Sequence, residues 1–335
     1  QREKTIHPML SLYLLEHSKG EELEQNQEWI TSALEKAIEN LYDPLEGGFF
    51  RYTENRDWMV PHYEKMADLN AGMVVLLEKI GQDEPSNQFK KTVTQTLEYL
   101  TTTLYSNDLG VFLSFQEADT FYYYLNQEGR ETGKAPPVIQ RVFTDRLSRT
   151  LMHLIQLEGN YDEFQLNAKI RSSLDFLSNM VIRNQEIYHF FDLNQGEWAS
   201  SGSLEDLALL SMVFADAANK YKQPHYLLTL KKLHHQAINT FFDSQLKIFT
   251  DSNLNPEEDL NYHLEMNAWL AWSFISNPKS KPEDQNHVHE ILRYFSAAEV
   301  RLEAYLWDSK DWYFSDRYVP YLLVFQKLKN TEVLQ

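Results

Sequence analysis

The chain has 335 residues, with 31 Lys and Arg against 49 Asp and Glu and a formal charge of −18, so it lacks the basic footprint of a nucleic-acid binder. Hydrophobic residues make up 43% and aromatic residues 13%, enough to fill a sizeable core and too many for a disordered chain. Apolar runs such as Met73 to Leu77 reach five residues, far short of the roughly 18 that span a bilayer, so a soluble protein without a transmembrane segment is expected.

Cysteine is absent, which removes disulfides, thiolate zinc sites and cysteine nucleophiles. The first residue is Gln1 rather than Met, as in a processed or trimmed chain.

Helical periodicity predicts helices over 7–18, 22–42, 63–80, 86–105, 145–158, 162–182, 203–220, 225–242, 260–276, 286–306 and 317–330. Met66, Leu69, Met73, Leu76 and Ile80 step by three or four, as do Leu204, Leu207, Leu210, Phe214, Ala217 and Tyr221, so each of these helices buries one face. Between helices a phrase recurs: an aromatic or aliphatic pair, a polar turn, then a short aromatic run. It reads Leu41-Tyr42-Asp43 with GGFFRY, Leu104-Tyr105 with GVFLSF, Ile182-Arg183-Asn184 with IYHFFD, Phe241-Phe242-Asp243 with KIFTDS, and Trp307-Asp308 with DWYFSD. The spacing of about 60 to 80 residues holds two helices and two connections, so each unit is a helical hairpin. Hairpins repeated at this period stack side by side and predict an all-α (α/α)6 toroid over residues 1–335, with an open solenoid as the alternative.

In a ring of alternating inner and outer helices, every aromatic run precedes an inner helix, which predicts one crowded end. Helix N-termini there offer free N–H groups and partial positive charge, and the aromatic rings offer flat apolar platforms. The polar groups at these starts are His62, Glu64 and Lys65; Asp145 and Arg146; Glu205 and Asp206; His263, Glu265 and Asn267; and Arg317. Such a rim suits a small-molecule sugar or polyol.

GGFFRY (47–52), Trp58 and VPHYEKM (60–66), with IHP near residue 7, SFQEADT (114–120), PPVIQRVFTD (136–145) and LEDLALL (204–210), resemble the spermatogenesis-associated protein 20 or YyaL-like family of thioredoxin-domain-containing proteins. The resemblance implies a toroid similar to N-acylglucosamine 2-epimerases and six-hairpin glycosidases, without the thioredoxin-like domain. It brings a fold more than an activity. Three positions depart from the family pattern. EKMADLNA places Leu69 where an Asp is expected, Phe115-Gln116-Glu117-Ala118-Asp119 neutralises one acid of an AEDAD phrase, and Asp145-Arg146-Leu147 stands for DWN. These changes together raise the prospect of a toroid that binds without turning over.

His62 follows Pro61, which places His62 and Glu64 in the first turn of an inner helix. In one reading His62 is a general base exchanging a proton on a sugar carbon, with His263 as its opposite number, because imidazole titrates near neutral pH. In the other, both residues only cap and pack. Glycoside hydrolysis needs two carboxylates about 5 to 10 Å apart, and Glu64, Glu117, Asp119, Glu205 and Asp206 are the candidates, though no spacing selects a pair. Asp145 is a further acid at the rim. His62, His263 and Glu265 do not form a recognisable metal motif, and nothing in the sequence calls for a cofactor. Arg51 either clamps a carboxylate or phosphate or staples two loops through Glu64 or Asp119. Trp58, Trp198, Trp269, Trp272, Trp307 and Trp312 include candidate stacking platforms. His234 and His235 are expected on the solvent side of an outer helix.

Residues 120–143 lack helical period and predict a flap over the cavity mouth. Eleven helices in a ring designed for twelve would leave an apolar flank, which predicts a protein partner or a homo-oligomer.

Overall fold

The computed structural model describes residues 4–55, 58–83, 86–157, 161–184, 186–251, 254, 260–282, 284–295 and 315–330. Thirteen helices are described: α1 (Pro8–His17), α2 (Glu21–Asn40), α3 (Ala67–Asp83), α4 (Asn87–Thr102), α5 (Thr120–Tyr123), α6 (Gln127–Thr132), α7 (Thr144–Ile155), α8 (Leu166–Asn179), α9 (Leu204–Tyr221), α10 (Pro224–Gln236), α11 (Leu260–Ser276), α12 (284–295) and α13 (Ser315–Asn330). The chain divides into two compact units, 1–176 with 190–197, and 177–189 with 198–335.

In the first unit α3 packs against α1, α4 and α7. Its Ala71, Met73, Val74, Leu76, Leu77 and Ile80 are buried, so apolar surface surrounds the helix almost completely, as in an inner helix. By contrast α2 buries only Ile30, Leu34, Ala37 and Ile38 along one stripe. Gly72 lets α1 lie close on α3, because a Cβ there would come 2.9 Å from Pro8. In the second unit α9 and α11 pair with each other, α10 covers α9, and α13 covers α11. Both α8 and α10 end in a π turn, Met180–Asn184 and Ala237–Phe241.

Four of the five aromatic phrases fold as hairpins or bridges. Tyr42 pairs with Phe49, β4 (Tyr105–Ser106) with β5 (Val111–Phe112), β8 (Tyr188–Asp192) with β9 (Glu197–Ser201), and β10 (Phe242–Asp243) with β11 (Ile248–Phe249). The fifth, around Trp307 and DWYFSD, lies outside the described residues. One turn chemistry serves all four. The first residue's carbonyl accepts the N–H four positions on: Gly47 to Asp43 at 3.0 Å, Gly110 to Ser106 at 2.8 Å, Gly196 to Asp192 at 2.8 Å and Lys247 to Asp243 at 2.8 Å. The donor residue has positive φ in each case, which favours glycine at that position. Asp43, Asp192 and Asp243 also accept N–H groups inside the turn through Oδ1, the behaviour that makes Asp a turn residue.

An asparagine fixes one hairpin in each unit. Asn70 of α3 accepts the Phe49 N–H at 2.6 Å and donates to the Phe49 carbonyl at 3.1 Å and to Met66 O at 2.7 Å. Asn267 of α11 repeats this with the Phe249 N–H, the Phe249 carbonyl and His263 O, all at 2.8 Å. Buried backbone groups of a hairpin edge are thus satisfied by one side chain.

The structure corrects several sequence expectations. Residues 61–66 are not the start of a helix: β2 (Pro61–His62) pairs with β1 (Tyr52–Thr53), and β3 (Lys65–Met66) with β6 (Phe115–Gln116), so α3 begins only at Ala67. Strand pairing outweighs the helical period of the flanking residues. Residues 120–143 are not aperiodic, for they hold α5, α6 and β7 (Arg141–Phe143). His234 is buried rather than solvent-facing, bonded to Ser273 Oγ at 2.9 Å with its ring 4.1 Å from that of Phe274, while His235 is exposed. Residues 296–306 of the helix expected over 286–306 lie outside the described residues.

Two predictions follow from these contacts. Asn70→Ala or Asn267→Ala orphans a buried N–H and a carbonyl, so each should cost roughly 2 to 4 kcal/mol in urea denaturation, whereas an unchanged midpoint would dismiss the clamp. Burial pushes the His234 pKa down to about 3, below its unfolded value near 6.5. The neutral ring therefore contributes stability that is present above about pH 6.5 and lost as pH falls towards 3. The loss at pH 5 should be roughly 2 kcal/mol, and His234→Gln should flatten that slope.

Candidate functional site

In the first unit the GGFFRY segment is placed by two glycines at φ 76° and 82°. A Cβ on Gly47 would lie 2.5 Å from Gln95 O, and one on Gly48 would lie 2.8 Å from the Tyr99 ring, so only glycine fits. Beneath the segment Lys65 is fully buried. Its ammonium donates to Asp43 Oδ2 at 2.7 Å and Gly47 O at 2.8 Å and lies about 5 Å from the ring centroids of Phe50, Tyr99 and Tyr123. Burial depresses the Lys65 pKa, opposed by Asp43. Burial alone would raise the Asp43 carboxyl, but Lys65 and Arg130 hold it below the usual carboxylate range.

Arg51, carried just beyond, pairs with Glu64 at 2.7 Å, and its N–H donates to Glu64 O at 2.9 Å and His62 O at 3.3 Å. Of the two carboxylates the sequence offered Arg51 for a loop staple, Glu64 is the one it meets. His62 stacks on Tyr52 with ring centroids 4.9 Å apart. Its Nδ1 is buried and has no hydrogen-bond partner among the described residues. Trp58 adopts φ 64° and lies under Lys4 at 5.3 Å. The structure brings Arg51, His62 and Glu64 together, on strand edges rather than in a helical first turn.

Among the other acids of this unit, Asp119, Asp68 and Asp145 lie against structural partners. Asp119 caps α5 by accepting the Tyr122 N–H at 2.9 Å. Glu117 is exposed, and its N–H donates to Pro137 O. Gln116, where an acid was expected from the family resemblance, accepts the hydroxyls of Tyr99 and Tyr123 and donates to Pro136 O at 2.9 Å. Arg146 bonds Asp68 at 3.0 Å and neighbours Asp145 at 3.4 Å. An acid is therefore retained one position before Leu69 and is matched to an arginine.

The second unit holds the arrangement that sequence reasoning missed. At the start of α9, Ser203 and Asp206 form a capping box. Asp206, fully buried, also accepts the Ser203 hydroxyl at 2.9 Å. Both of its oxygens face His189 Nδ1, at 3.0 and 3.1 Å, while the His189 side chain remains 40% exposed. His189 lies inside the aromatic IYHFFD run, and its only sequence signal is a histidine in the hairpin that precedes an acid-capped helix. Tyr262, at the start of α11, is influenced by Glu205, Asp251 and Asp206, and burial raises its phenol well above the ordinary value. His263 is fully buried, and its ring meets that of Tyr262 edge-on at 5.3 Å. Trp269 is buried, Trp272 donates to Asp216 Oδ1 at 3.2 Å, and Trp198 stacks on Tyr188. Trp307 and Trp312 lie outside the described residues.

No family model matches the chain. Over 80 residues it is 32% identical to mouse spermatogenesis-associated protein 20, a stretch covering 24% of this chain and 10% of that protein. Among solved structures it is similar to cellobiose 2-epimerase from Bacillus thermoamylovorans (TM-score 0.65, 12% identity, 87% of this chain and 74% of that one). It is also similar to a D-mannose isomerase (0.63, 9%, 86% and 74%) and to unsaturated glucuronyl hydrolase from Bacillus sp. GL1 (0.55, 13%, 86% and 72%). The chain has the (α/α)6 toroid fold of these six-hairpin sugar enzymes. No helix among the described residues is long and apolar enough to cross a membrane.

Because the Arg51–Glu64 pair is partly exposed, Arg51→Ala should shift stability by no more than about 1 kcal/mol. A larger loss in thermal unfolding would make it a structural keystone rather than a surface staple.

Proposed function

We propose that the protein binds a neutral sugar or polyol and moves a proton on it, as an isomerase or epimerase does. The observation that carries this reading is the His189–Asp206 dyad. A buried carboxylate on Nδ1 fixes the tautomer and ring orientation and stabilises the imidazolium, and proton traffic then runs through Nε2. In the open-chain sugar, His189 removes the proton from the carbon beside the carbonyl, and the electron pair moves onto the carbonyl oxygen as an enediolate. The O2 hydroxyl proton passes to O1, and return of the abstracted proton to the adjacent carbon interconverts aldose and ketose. Return to the opposite face of the same carbon gives an epimer and requires a second base. Glu205, next to Asp206 at the start of α9, is proposed to bind the substrate beside the dyad. The likeness of the fold to a cellobiose 2-epimerase and a mannose isomerase supports the substrate class.

A second reading is a toroid that binds without turnover, in association with another protein or a further copy. It is favoured by the engagement of Asp119 in a helix cap and of Asp68 with Arg146.

The test is solvent exchange: the protein is incubated in D2O with a panel of aldoses and β-1,4-linked disaccharides, and deuterium at the carbon beside the anomeric centre is read by NMR. Wild type should exchange, and His189→Ala should lose roughly 10²–10⁴-fold with its melting temperature kept. His62→Ala, run in parallel, tests the first-unit cluster. Sugar-induced thermal stabilisation without exchange would select the binding reading, and the absence of both would reject the sugar assignment.

A further inference from the structure

The segment between β6 and β7 carries the run Phe121-Tyr122-Tyr123-Tyr124, which splits into two inward and two outward rings. Tyr122 and Tyr123 are buried. The Tyr122 hydroxyl bonds to Glu46 and the Tyr123 hydroxyl to Gln116, and the Tyr123 ring stacks on Tyr63 at 5.6 Å. Phe121 is 89% exposed, Tyr124 74% and Leu125 41%.

The outward rings stand on a rigid base. Asp119 caps α5, and Asn126 caps α6 by accepting the Gly129 N–H at 3.0 Å. The buried Arg130 lies 5.3 and 5.1 Å from the centroids of the two inward rings. It donates to Asp43 at 2.7 Å and to the Tyr123 carbonyl at 3.1 Å. Tyr124 is further held edge-on against Tyr63 at 5.9 Å. The fold therefore holds the backbone of two large aromatic residues whose rings stand mostly in solvent.

The surroundings restrict what can cover them. Glu117, Asp119, Glu128 and Glu131 flank the run. Within residues 117–140 the cations are Arg130, committed to Asp43, and the exposed Lys134. On a chain of net charge −18 this repels nucleic acid, anionic lipid and acidic glycans. Phe121, Tyr124 and Leu125 together present on the order of 400 Å², about half of the roughly 800 Å² per partner in a stable protein interface. A second copy would also bring like charge to the same face. A neutral pyranose fits these limits. Its apolar C–H face packs flat on an aromatic ring, and its hydroxyls donate to exposed carboxylates such as Glu117.

We propose that Phe121 and Tyr124 form a stacking platform for neutral oligosaccharide. The platform extends the sugar reading of this protein to longer glycans, but it stands on residues that the proton-transfer chemistry does not use.

The experiment measures calorimetric affinity for β-1,4-gluco- and manno-oligosaccharides of one to six units. Wild type is compared with the double variant Phe121→Ala/Tyr124→Ala and with Phe121→Trp, each checked by circular dichroism. Wild-type affinity should rise with length. The double variant should lose about tenfold on the longer chains with monosaccharide affinity unchanged, and Phe121→Trp should retain the wild-type pattern. Equal affinities in wild type and double variant at every length, or no oligosaccharide binding by wild type, would overturn the platform. A fall in light-scattering mass on the double substitution, with flat glycan affinity, would overturn it in favour of self-association. Loss on long chains in the double variant, beside a wild type that neither binds monosaccharide nor exchanges solvent deuterium, would retain the platform and reject the proton-transfer reading.

Discussion

The first unit is organised around one buried cation. Lys65 and Asp43 are both fully buried and bonded at 2.7 Å, with Arg130 joining the same carboxylate oxygen. Three separate stretches of chain meet there: the turn after α2, the strand before α3 and the short helix α6. A buried ion pair is a weak source of net stability, because desolvating both charges offsets much of their attraction, yet removing one partner strands the other at a cost of several kcal/mol. The network therefore acts on geometry. Only one register of β3 places Lys65 over Asp43 and Gly47 O while presenting it to three aromatic rings, and that register determines where Arg51, His62 and Glu64 emerge.

The same economy appears in the repeated parts. Asn70 and Asn267 do identical jobs in different units, each holding the backbone of a hairpin phenylalanine and a carbonyl of its own helix. Hairpins in both units share a turn in which an Asp or Ser carbonyl accepts the N–H of a positive-φ residue four positions later. A repeat architecture builds successive helical hairpins on the same local geometry. Reusing a turn and a clamp achieves this while the intervening side chains vary.

Carboxylates at helix starts have two uses, and the structure separates them by partner. Asp119 accepts a backbone N–H and serves the cap. Asp68 and Asp145 lie at the Arg146 guanidinium. Asp206 does both, closing a capping box with Ser203 and presenting its oxygens to His189. A carboxylate fixed by its own helix is an immobile partner for an imidazole, and pre-organisation of that kind is what proton transfer requires.

The toroid class, the order of helical hairpins and the aromatic turns were legible in the sequence. Helical period, polar turns and their spacing are local properties, and a repeat displays them several times over. Arg51 with Glu64 was one of two stated pairings. Tertiary structure alone decided the rest. Pairing of 61–66 with 52–53 and 115–116 turned an expected helix start into strands, because a cross-strand partner lies far away in sequence. His234 went inward because Ser273 and Phe274 of another helix enclose it. His189 acquired its carboxylate only when its hairpin folded back on the start of α9. Which face of a residue is buried, and which acid meets which base, depends on contacts between distant segments, and these have no signature in the composition or period of either segment.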